Sequence, residues 1–142
     1  MKIEDLTLDV EQQIDIKAAP EKVFAAMLER FGKGNTSPSG ESLQLNLEPK
    51  PGGRWYRDRG NGIGHLWGFV QVIKPPSLLE LSGPMFMSYP AHNHVEIKVE
   101  KTATGSHVTL RHRALGMIDP EHRKGVGQGW GHMLAGLKKD AE

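Results

Sequence analysis

The chain of 142 residues contains no cysteine. This absence excludes a disulfide framework, a catalytic thiolate and a zinc-thiolate centre. It agrees with a reducing compartment, and we expect a cytoplasmic protein.

An excess of charge of one sign is also missing. Lysine and arginine number 18 against 17 for aspartate and glutamate, which gives a net charge of +1. Such a chain has no long-range field that would attract nucleic acid or an anionic membrane. Apolar runs are too short to span a bilayer, and the N-terminal "MKIEDLTLDVEQQIDIKAAP" carries acids where a signal peptide needs apolar residues. We therefore expect a soluble, unprocessed protein without a nucleic-acid partner or membrane insertion.

Signatures of well-known catalytic machineries are absent as well. The sequence holds no glycine-flanked serine elbow, no glycine-rich phosphate loop and no HExxH motif. It therefore assigns no catalytic residue, no cofactor and no metal, and it favours a binding protein over an enzyme.

The first part of the chain predicts a strand followed by a helix. In "LDVEQQIDIK", apolar residues share one parity from Leu8 to Ile16, although Gln12 interrupts the row. "AAPEKVFAAMLERFG" then places Pro20 in a first helical turn, carries an apolar stripe and stops at Gly32. A glycine- and serine-rich loop, "GKGNTSPSGES", follows.

The middle of the chain predicts six further strands in an antiparallel meander. Glycine and proline turn signals separate "LQLNLEP", "GRWYRDR", "GIGHLWGFVQVIKP", "LLELSGP", "HNHVEIKVEK" and "SHVTLRHRAL". Asp119 can then cap a final helix that begins at Pro120. Because only this helix is long enough to cover a large sheet, we expect one α+β domain over residues 1–142, with the first strand at a sheet edge.

This order of elements, together with "IDIKAAPEKVFAAM", "GGRW", "WGFVQVIKPPSLLEL" and "GWGHMLAGLKK", resembles the START-like (SRPBCC) superfamily from about Asp9 to the end. Within it, the chain is most similar to the domain related to the C-terminal part of the activator of heat shock protein 90 ATPase. The resemblance implies a helix-grip fold, in which a curved antiparallel sheet of about seven strands wraps around a long C-terminal helix. It also implies an apolar cavity between the sheet and that helix.

The last helix is unusual because glycines occupy positions 125, 127, 129, 131 and 136. Each costs a helix about 1 kcal/mol relative to alanine. If Gly127 and Gly131 face the sheet, they leave room for a ligand or for Trp67. Alternatively, Gly125 to Gly129 form an irregular lead-in, and the helix begins near Trp130.

Large apolar residues and one histidine are the candidates for a cavity wall, and methionines in "GPMFMSYP" suit varied apolar guests. Plain core packing is the alternative for most of them. The candidate ligand-binding residues are Phe24, Met27, Trp55, Trp67, Phe69, Met85, Met87, Tyr89, His112, Trp130, Met133 and Leu134.

Three histidines on neighbouring strands raise the question of a metal site. Strand parity turns His92 and His94 towards solvent and turns His112 inwards with Val108 and Leu110. This separation argues against a metal site. A buried His112 needs a hydrogen-bond partner, either from a ligand or from the protein.

These observations predict a binding protein for a small apolar or amphipathic molecule, as a monomer or a homodimer. One alternative is an enzyme similar to the cyclases or hydratases of the superfamily, with His112, Tyr89 or Glu80 orienting a substrate. The resemblance also implies a third reading, a module that interacts with a chaperone.

Overall fold

Seven strands form one antiparallel sheet in the computed structural model, which describes residues 2–142. The elements are β1 (Thr7–Ile16), α1 (Pro20–Phe31), β2 (Leu45–Leu47), β3 (Arg54–Asp58), β4 (Gly64–Lys74), β5 (Leu78–Gly83), β6 (Ala91–Thr102), β7 (Gly105–Gly116) and α2 (Pro120–Ala141). A short 3-10 turn, Ile3–Leu6, precedes β1.

The strands lie in the order β1-β7-β6-β5-β4-β3-β2. The curved sheet with its C-terminal helix confirms the predicted α+β helix-grip fold, and β1 lies at an edge as expected. No helix among residues 2–142 is long and apolar enough to cross a membrane.

Local sequence explains where α1 begins and ends. Pro20 occupies the first turn, where its missing N–H costs nothing, and Gly32 closes the helix by donating to the carbonyls of Leu28 and Glu29. The apolar stripe predicted for this helix is buried, and its most enclosed members are Val23, Phe24, Met27 and Phe31.

The glycine-bearing segment is one continuous helix from Pro120 to Ala141, so the alternative of an irregular lead-in before Trp130 is wrong. The Asp119 carboxylate accepts from the backbone N–H of Glu121 at 2.8 Å and caps the helix as expected. Tertiary packing outweighs the low helix propensity of glycine. The residues of α2 that are buried in this packing are Val126, Trp130, Met133, Leu134, Leu137 and Ala141.

Gly127 and Gly131 face Gln12 of β1, and they do not make room for Trp67. The Gln12 amide Nε2 donates to the carbonyl of Gly127 at 2.5 Å, and a Cβ on Gly131 would lie 3.4 Å from Gln12 Oε1. The polar residue that interrupts the apolar row of β1 is therefore a tie between the sheet edge and α2.

Strand parity on β6 and β7 follows the sequence prediction. Asn93, Val95 and His112 are fully buried on the inner face of the sheet. His92 is exposed on the outer face, where His94 also lies and contacts Glu80. The inner imidazole is thus separated by the sheet from the two outer ones.

Candidate functional site

A cavity of about 340 Å³ lies between α2, the end of α1, the loop that follows it and the β3–β4 side of the sheet. Its wall is formed by Arg30, Phe31, Asn35, Thr36, Ser37, Pro38, Leu43, Trp55, Trp67, Met85, Phe86, Glu121, His122, Gly125, Val126, Gly129, Trp130, His132 and Met133.

Aromatic rings make up much of this wall, and all three tryptophans of the chain belong to it. Trp55 meets Phe31 and Trp67 edge to face, with ring centroids 5.4 Å and 5.1 Å apart. Trp67 also meets Phe86 at 6.0 Å, and Trp130 tilts against Phe31 at 6.2 Å. The rings hold one another in place through these contacts, so the aromatic part of the wall is a rigid apolar surface.

A β-bulge places Trp67. Trp55 pairs with Gly68 and Tyr56 pairs with Leu66, which leaves Trp67 as the extra residue of β4. A Cβ on Gly68 would collide with the carbonyl oxygen of Ser82, so glycine is required where β4 passes β5. The bulge therefore directs the indole of Trp67 into the cavity.

Met85 enters the wall through an uncommon backbone conformation. Its φ of 56° lies in the left-handed region, and its N–H donates to the carbonyl of Trp67 at 2.7 Å. The "GPMFMSYP" segment is thereby tied to the bulge.

The polar groups of the wall fall into two sets. Trp55 Nε1 donates to the carbonyl of Phe31 at 2.7 Å, and Trp130 Nε1 donates to His112 Nδ1 at 3.0 Å. In contrast, Asn35 Oδ1, Trp67 Nε1 and His132 Nε2 are buried and have no hydrogen-bond partner within residues 2–142.

His112 lies behind the wall in a closed hydrogen-bond chain. Since its Nδ1 accepts from Trp130, its Nε2 carries the proton and donates to Asn93 Oδ1 at 2.6 Å. Asn93 Nδ2 in turn donates to the carbonyls of Gly83 and Pro84. Burial lowers the pKa of His112 to about 4, so the ring is neutral at pH 7. The protein itself satisfies this histidine, which connects α2 to the sheet.

A tyrosine and a histidine form a pair at the rim of the cavity. The Tyr89 hydroxyl lies 2.8 Å from His122 Nδ1, and the two rings stack with centroids 5.4 Å apart. His122 belongs to the cavity wall, whereas Tyr89 lies beside it, next to Pro90 and Ile118.

The structure brings five of the predicted site residues into the wall: Trp55, Trp67, Met85, Trp130 and Met133. Five others are buried but do not line the cavity: Phe24, Met27, Met87, His112 and Leu134. Tyr89 reaches the wall only through His122.

Phe69 is outside the cavity, in contrast to the sequence prediction. It pairs with Arg54 and Ser82, points to the outer face of the sheet and is 44 % exposed. Glu80, the predicted substrate-orienting acid, also lies on the outer face, where it contacts His94 at 2.8 Å.

Sequence reasoning missed most residues of the wall, among them His122, His132 and two groups. One is the loop after α1, from Asn35 to Pro38 together with Leu43, whose irregular sequence has no periodicity to read. The other is a row on α2 with a spacing of four, formed by Glu121, Gly125 and Gly129. That spacing could have been found, because residues four apart share one face of a helix.

Comparisons with known proteins agree with this fold. The family model described as "Activator of Hsp90 ATPase homolog 1-like protein" matches residues 17–142. No curated protein matches the chain.

Solved structures with the same fold come from several sources. Protein MLL2253 from Mesorhizobium loti is 20% identical, with a TM-score of 0.66 over 93% of this chain and 95% of that one. A putative uncharacterized protein from Rhizobium leguminosarum is 16% identical, with a TM-score of 0.71 over 95% and 94%. The di-domain ARO/CYC StfQ from the steffimycin biosynthetic pathway is 16% identical, with a TM-score of 0.65 over 98% of this chain and 50% of that one. At these identities the likeness establishes the fold alone.

Proposed function

Because the chain belongs to the family of Activator of Hsp90 ATPase homolog 1-like proteins and has an apolar cavity beneath its C-terminal helix, we propose that it binds a small apolar or amphipathic molecule there. The cavity of about 340 Å³ carries this proposal. Protein interiors are close-packed and rarely hold voids larger than a water molecule. This volume instead falls in the range of ligand pockets, roughly 300–1,000 Å³. A cytoplasmic location, inferred from the lack of cysteine, is part of the proposal.

Access to the cavity runs between α2 and the loop after α1. The exposed members of the wall are Pro38, Glu121, Gly125 and Gly129, so this is the side on which the cavity reaches solvent. A Cβ on either glycine would meet nothing within 4 Å. The two glycines leave an opening that larger side chains would narrow.

The first experiment looks for the natural ligand. A native mass spectrum of the protein purified from its own cells should show an added mass that disappears on denaturation. The protein without any added mass would count against a tightly bound ligand.

A second experiment tests the site with N-phenyl-1-naphthylamine, an uncharged fluorophore that brightens in apolar surroundings. We expect saturable binding to the wild type and its loss in Gly129→Leu, because the new side chain enters the opening. Gln128→Leu adds the same side chain at an exposed neighbouring position outside the wall and should bind as the wild type does. Equal binding by both variants would place the probe elsewhere and contradict the proposal.

A second candidate function, catalysis on the bound molecule, is favoured by the Tyr89–His122 pair at the rim. A histidine that contacts a phenol and faces a cavity can move a proton to or from a bound molecule. The fold shared with an ARO/CYC protein is compatible with such chemistry but does not establish it.

His122→Gln distinguishes binding from catalysis. If the protein is an enzyme, the variant should accumulate unconverted substrate, and native mass spectra of wild type and variant from the same cells should show different bound masses. The same mass in both would leave binding alone as the function.

The description of the family supports a chaperone as a further candidate partner. If the chain acts on a chaperone, adding it to purified Hsp90 should raise the rate of ATP hydrolysis, and Gly129→Leu should act as well as the wild type because it changes the surface only at the cavity opening. An unchanged rate would count against this partner.

A further inference from the structure

The unpartnered polar atoms of the wall indicate which kind of molecule fits. Within residues 2–142, four buried side-chain atoms lack a hydrogen-bond partner, and three of them belong to residues of the cavity wall. These three are Asn35 Oδ1, Trp67 Nε1 and His132 Nε2. Leaving such an atom unpaired costs about 1–3 kcal/mol, so their concentration in one apolar cavity needs an explanation.

The tryptophans provide an internal comparison. The N–H groups of Trp55 and Trp130 are satisfied by the carbonyl of Phe31 and by His112. Only the N–H of Trp67, among the three, has no acceptor in the described chain. Its indole is oriented by the β4 bulge and held by the Trp55 and Phe86 rings. The donor is thus fixed in an apolar wall and lacks an acceptor.

The orientation of Asn35 is set by its other end. Asn35 Nδ2 donates to the carbonyl of Arg30 at 3.0 Å, which leaves Oδ1 as the free acceptor. The residues of the wall therefore hold one fixed donor and one fixed acceptor without partners, and His132 Nε2 adds a third such atom.

The charges of the wall disfavour an anion. Arg30 is the one arginine or lysine among the wall residues of the described chain, and its Nε and Nη2 donate to the carboxylate of Asp140 at 2.7 Å and 3.3 Å. Its Nη1 contacts the hydroxyl of Thr36 at 3.4 Å. The Glu121 carboxylate adds negative charge at the opening. A ligand carboxylate inside would remain without a free cation, which is costly in apolar surroundings.

From these contacts we infer that the cavity selects an uncharged, largely apolar molecule with a hydroxyl or carbonyl group, whose oxygen accepts from Trp67 Nε1 and whose hydroxyl donates to Asn35 Oδ1. This inference rests on the proposed binding function. It makes Trp67 and Asn35 the residues that determine specificity, with the aromatic rings supplying the apolar contact. An unsubstituted hydrocarbon would leave both polar atoms unpaired.

Three probes of similar size test the inference by calorimetry and by competition with N-phenyl-1-naphthylamine at neutral pH: 2-naphthol, naphthalene and 2-naphthoate. We expect 2-naphthol to bind the wild type at least about tenfold more tightly than naphthalene, since a hydrogen bond to a buried unpaired group is gained. We expect 2-naphthoate to bind at least about tenfold more weakly than 2-naphthol, because its charge is unpaired.

Trp67→Phe then assigns the advantage of the hydroxyl to its donor. The variant keeps an aromatic ring and removes the N–H, so it should lose most of the preference for 2-naphthol while its affinity for naphthalene changes little. A loss of equal size for both probes would show that Trp67 contributes surface only and would overturn the inference.

The comparison of the three probes on the wild type needs no variant and also tests the inference. Equal affinity for naphthalene and 2-naphthol, or tightest binding of 2-naphthoate, would overturn the inference while the binding function stands. Binding of N-phenyl-1-naphthylamine without binding of any of the three probes would overturn the inference alone. If the fluorophore also fails to bind, the proposed function itself fails, and the inference fails with it.

Discussion

The two halves of α2 meet the rest of the molecule in different ways. The cavity half, residues 120–133, contributes Glu121, His122, Gly125, Val126, Gly129, Trp130, His132 and Met133 to the wall of an unfilled space. The packed half, residues 134–141, buries Leu134, Leu137 and Ala141. It is also tied to neighbouring elements: Asp140 binds Arg30 of α1, and Lys138 donates to the carbonyl of Asp15 in β1.

This difference indicates that one helix serves two purposes in succession. The packed half holds α2 against α1 and β1. The cavity half can therefore border empty space while the helix stays docked on the rest of the protein. Glycine is tolerated in the cavity half because its cost in helix propensity is offset by packing further along. Stability should therefore respond most to changes in the packed half, and ligand binding to changes in the cavity half.

The largest expected effect comes from the packed half. Leu137 is fully buried, and Leu137→Ala should lower the free energy of unfolding by about 2–5 kcal/mol through lost contacts and a new cavity. Val126→Ala in the cavity half should cost less, because Val126 already borders unfilled volume. Urea unfolding measures both losses, and equal losses would contradict the division of the helix.

A second prediction concerns the buried chain Trp130–His112–Asn93 that ties the cavity half to the sheet. The pKa of His112 is about 4 in the folded protein, below its ordinary value of 6.5, so the unfolded chain binds more protons between these values. The stabilisation that comes from the lowered pKa of His112 is fully present above about pH 6.5 and decreases as the pH falls towards 4. The total loss is about 3 kcal/mol at the low end.

His112→Gln provides the comparison for this pH dependence. The variant is expected to be less stable at pH 7, because the chain of hydrogen bonds is disturbed, and to show a flatter dependence between pH 6.5 and 4. Urea unfolding at a series of pH values gives both slopes. Identical slopes for the two proteins would assign the pH dependence to other groups.

The regular alternation of inward-facing apolar and outward-facing polar residues along the strands made much of this architecture predictable. Along β7 the alternation is unbroken, so the inward position of His112 follows from its parity with Val108 and Leu110. Along β4 the extra residue Trp67 shifts the alternation by one, so Phe69 lies on the face opposite to Trp67 although both have the same parity in sequence. Among the residues around Trp67, only Gly68 indicates a bulge. Glycine is required at this position because of the carbonyl oxygen of Ser82 in a neighbouring strand, which the local sequence does not show.

Contacts between distant segments were not predictable for a similar reason. Gln12 interrupts an apolar row in the sequence, and its role depends on the carbonyl of Gly127 in α2. The loop that supplies Asn35 to the wall has no period, so only the folded chain shows where its residues lie. The tryptophans were recognised as candidates from their size and apolarity, but which of them has a free N–H depends on the partners that folding provides.

The contrast between packed and open surroundings extends to the sheet and predicts a third result. Trp55→Phe removes the donor to the carbonyl of Phe31 and should lower the free energy of unfolding by about 1–3 kcal/mol. Trp67→Phe removes the same atoms but takes away a donor that is already unpaired, so the ligand-free protein should lose less. Thermal and urea unfolding of the pair, without ligand, compare the two surroundings directly. An equal or greater loss in Trp67→Phe would mean that its N–H is satisfied within the folded protein.

The smallest expected effects come from the glycines themselves. Gly129→Ala places a methyl group in open space and should raise the free energy of unfolding by about 1 kcal/mol through helix propensity alone. In the packed half, a Cβ on Gly136 would lie 2.5 Å from Cζ of Arg30, whose guanidinium would have to leave Asp140. That ion pair, with the Asp140 side chain 42% exposed, is worth at most about 1 kcal/mol, so Gly136→Ala should change stability little.

Removing the guanidinium separates these two opposing terms in Gly136→Ala. In an Arg30→Met background nothing remains to be displaced, and Gly136→Ala should then gain about the same 1 kcal/mol as Gly129→Ala. The four proteins of this cycle, with and without each substitution, give the coupling between the two sites from urea unfolding. If Gly136→Ala already stabilises the otherwise unchanged protein as much as Gly129→Ala does, the guanidinium yields without cost, and Gly136 is no more constrained than the glycine that faces the cavity.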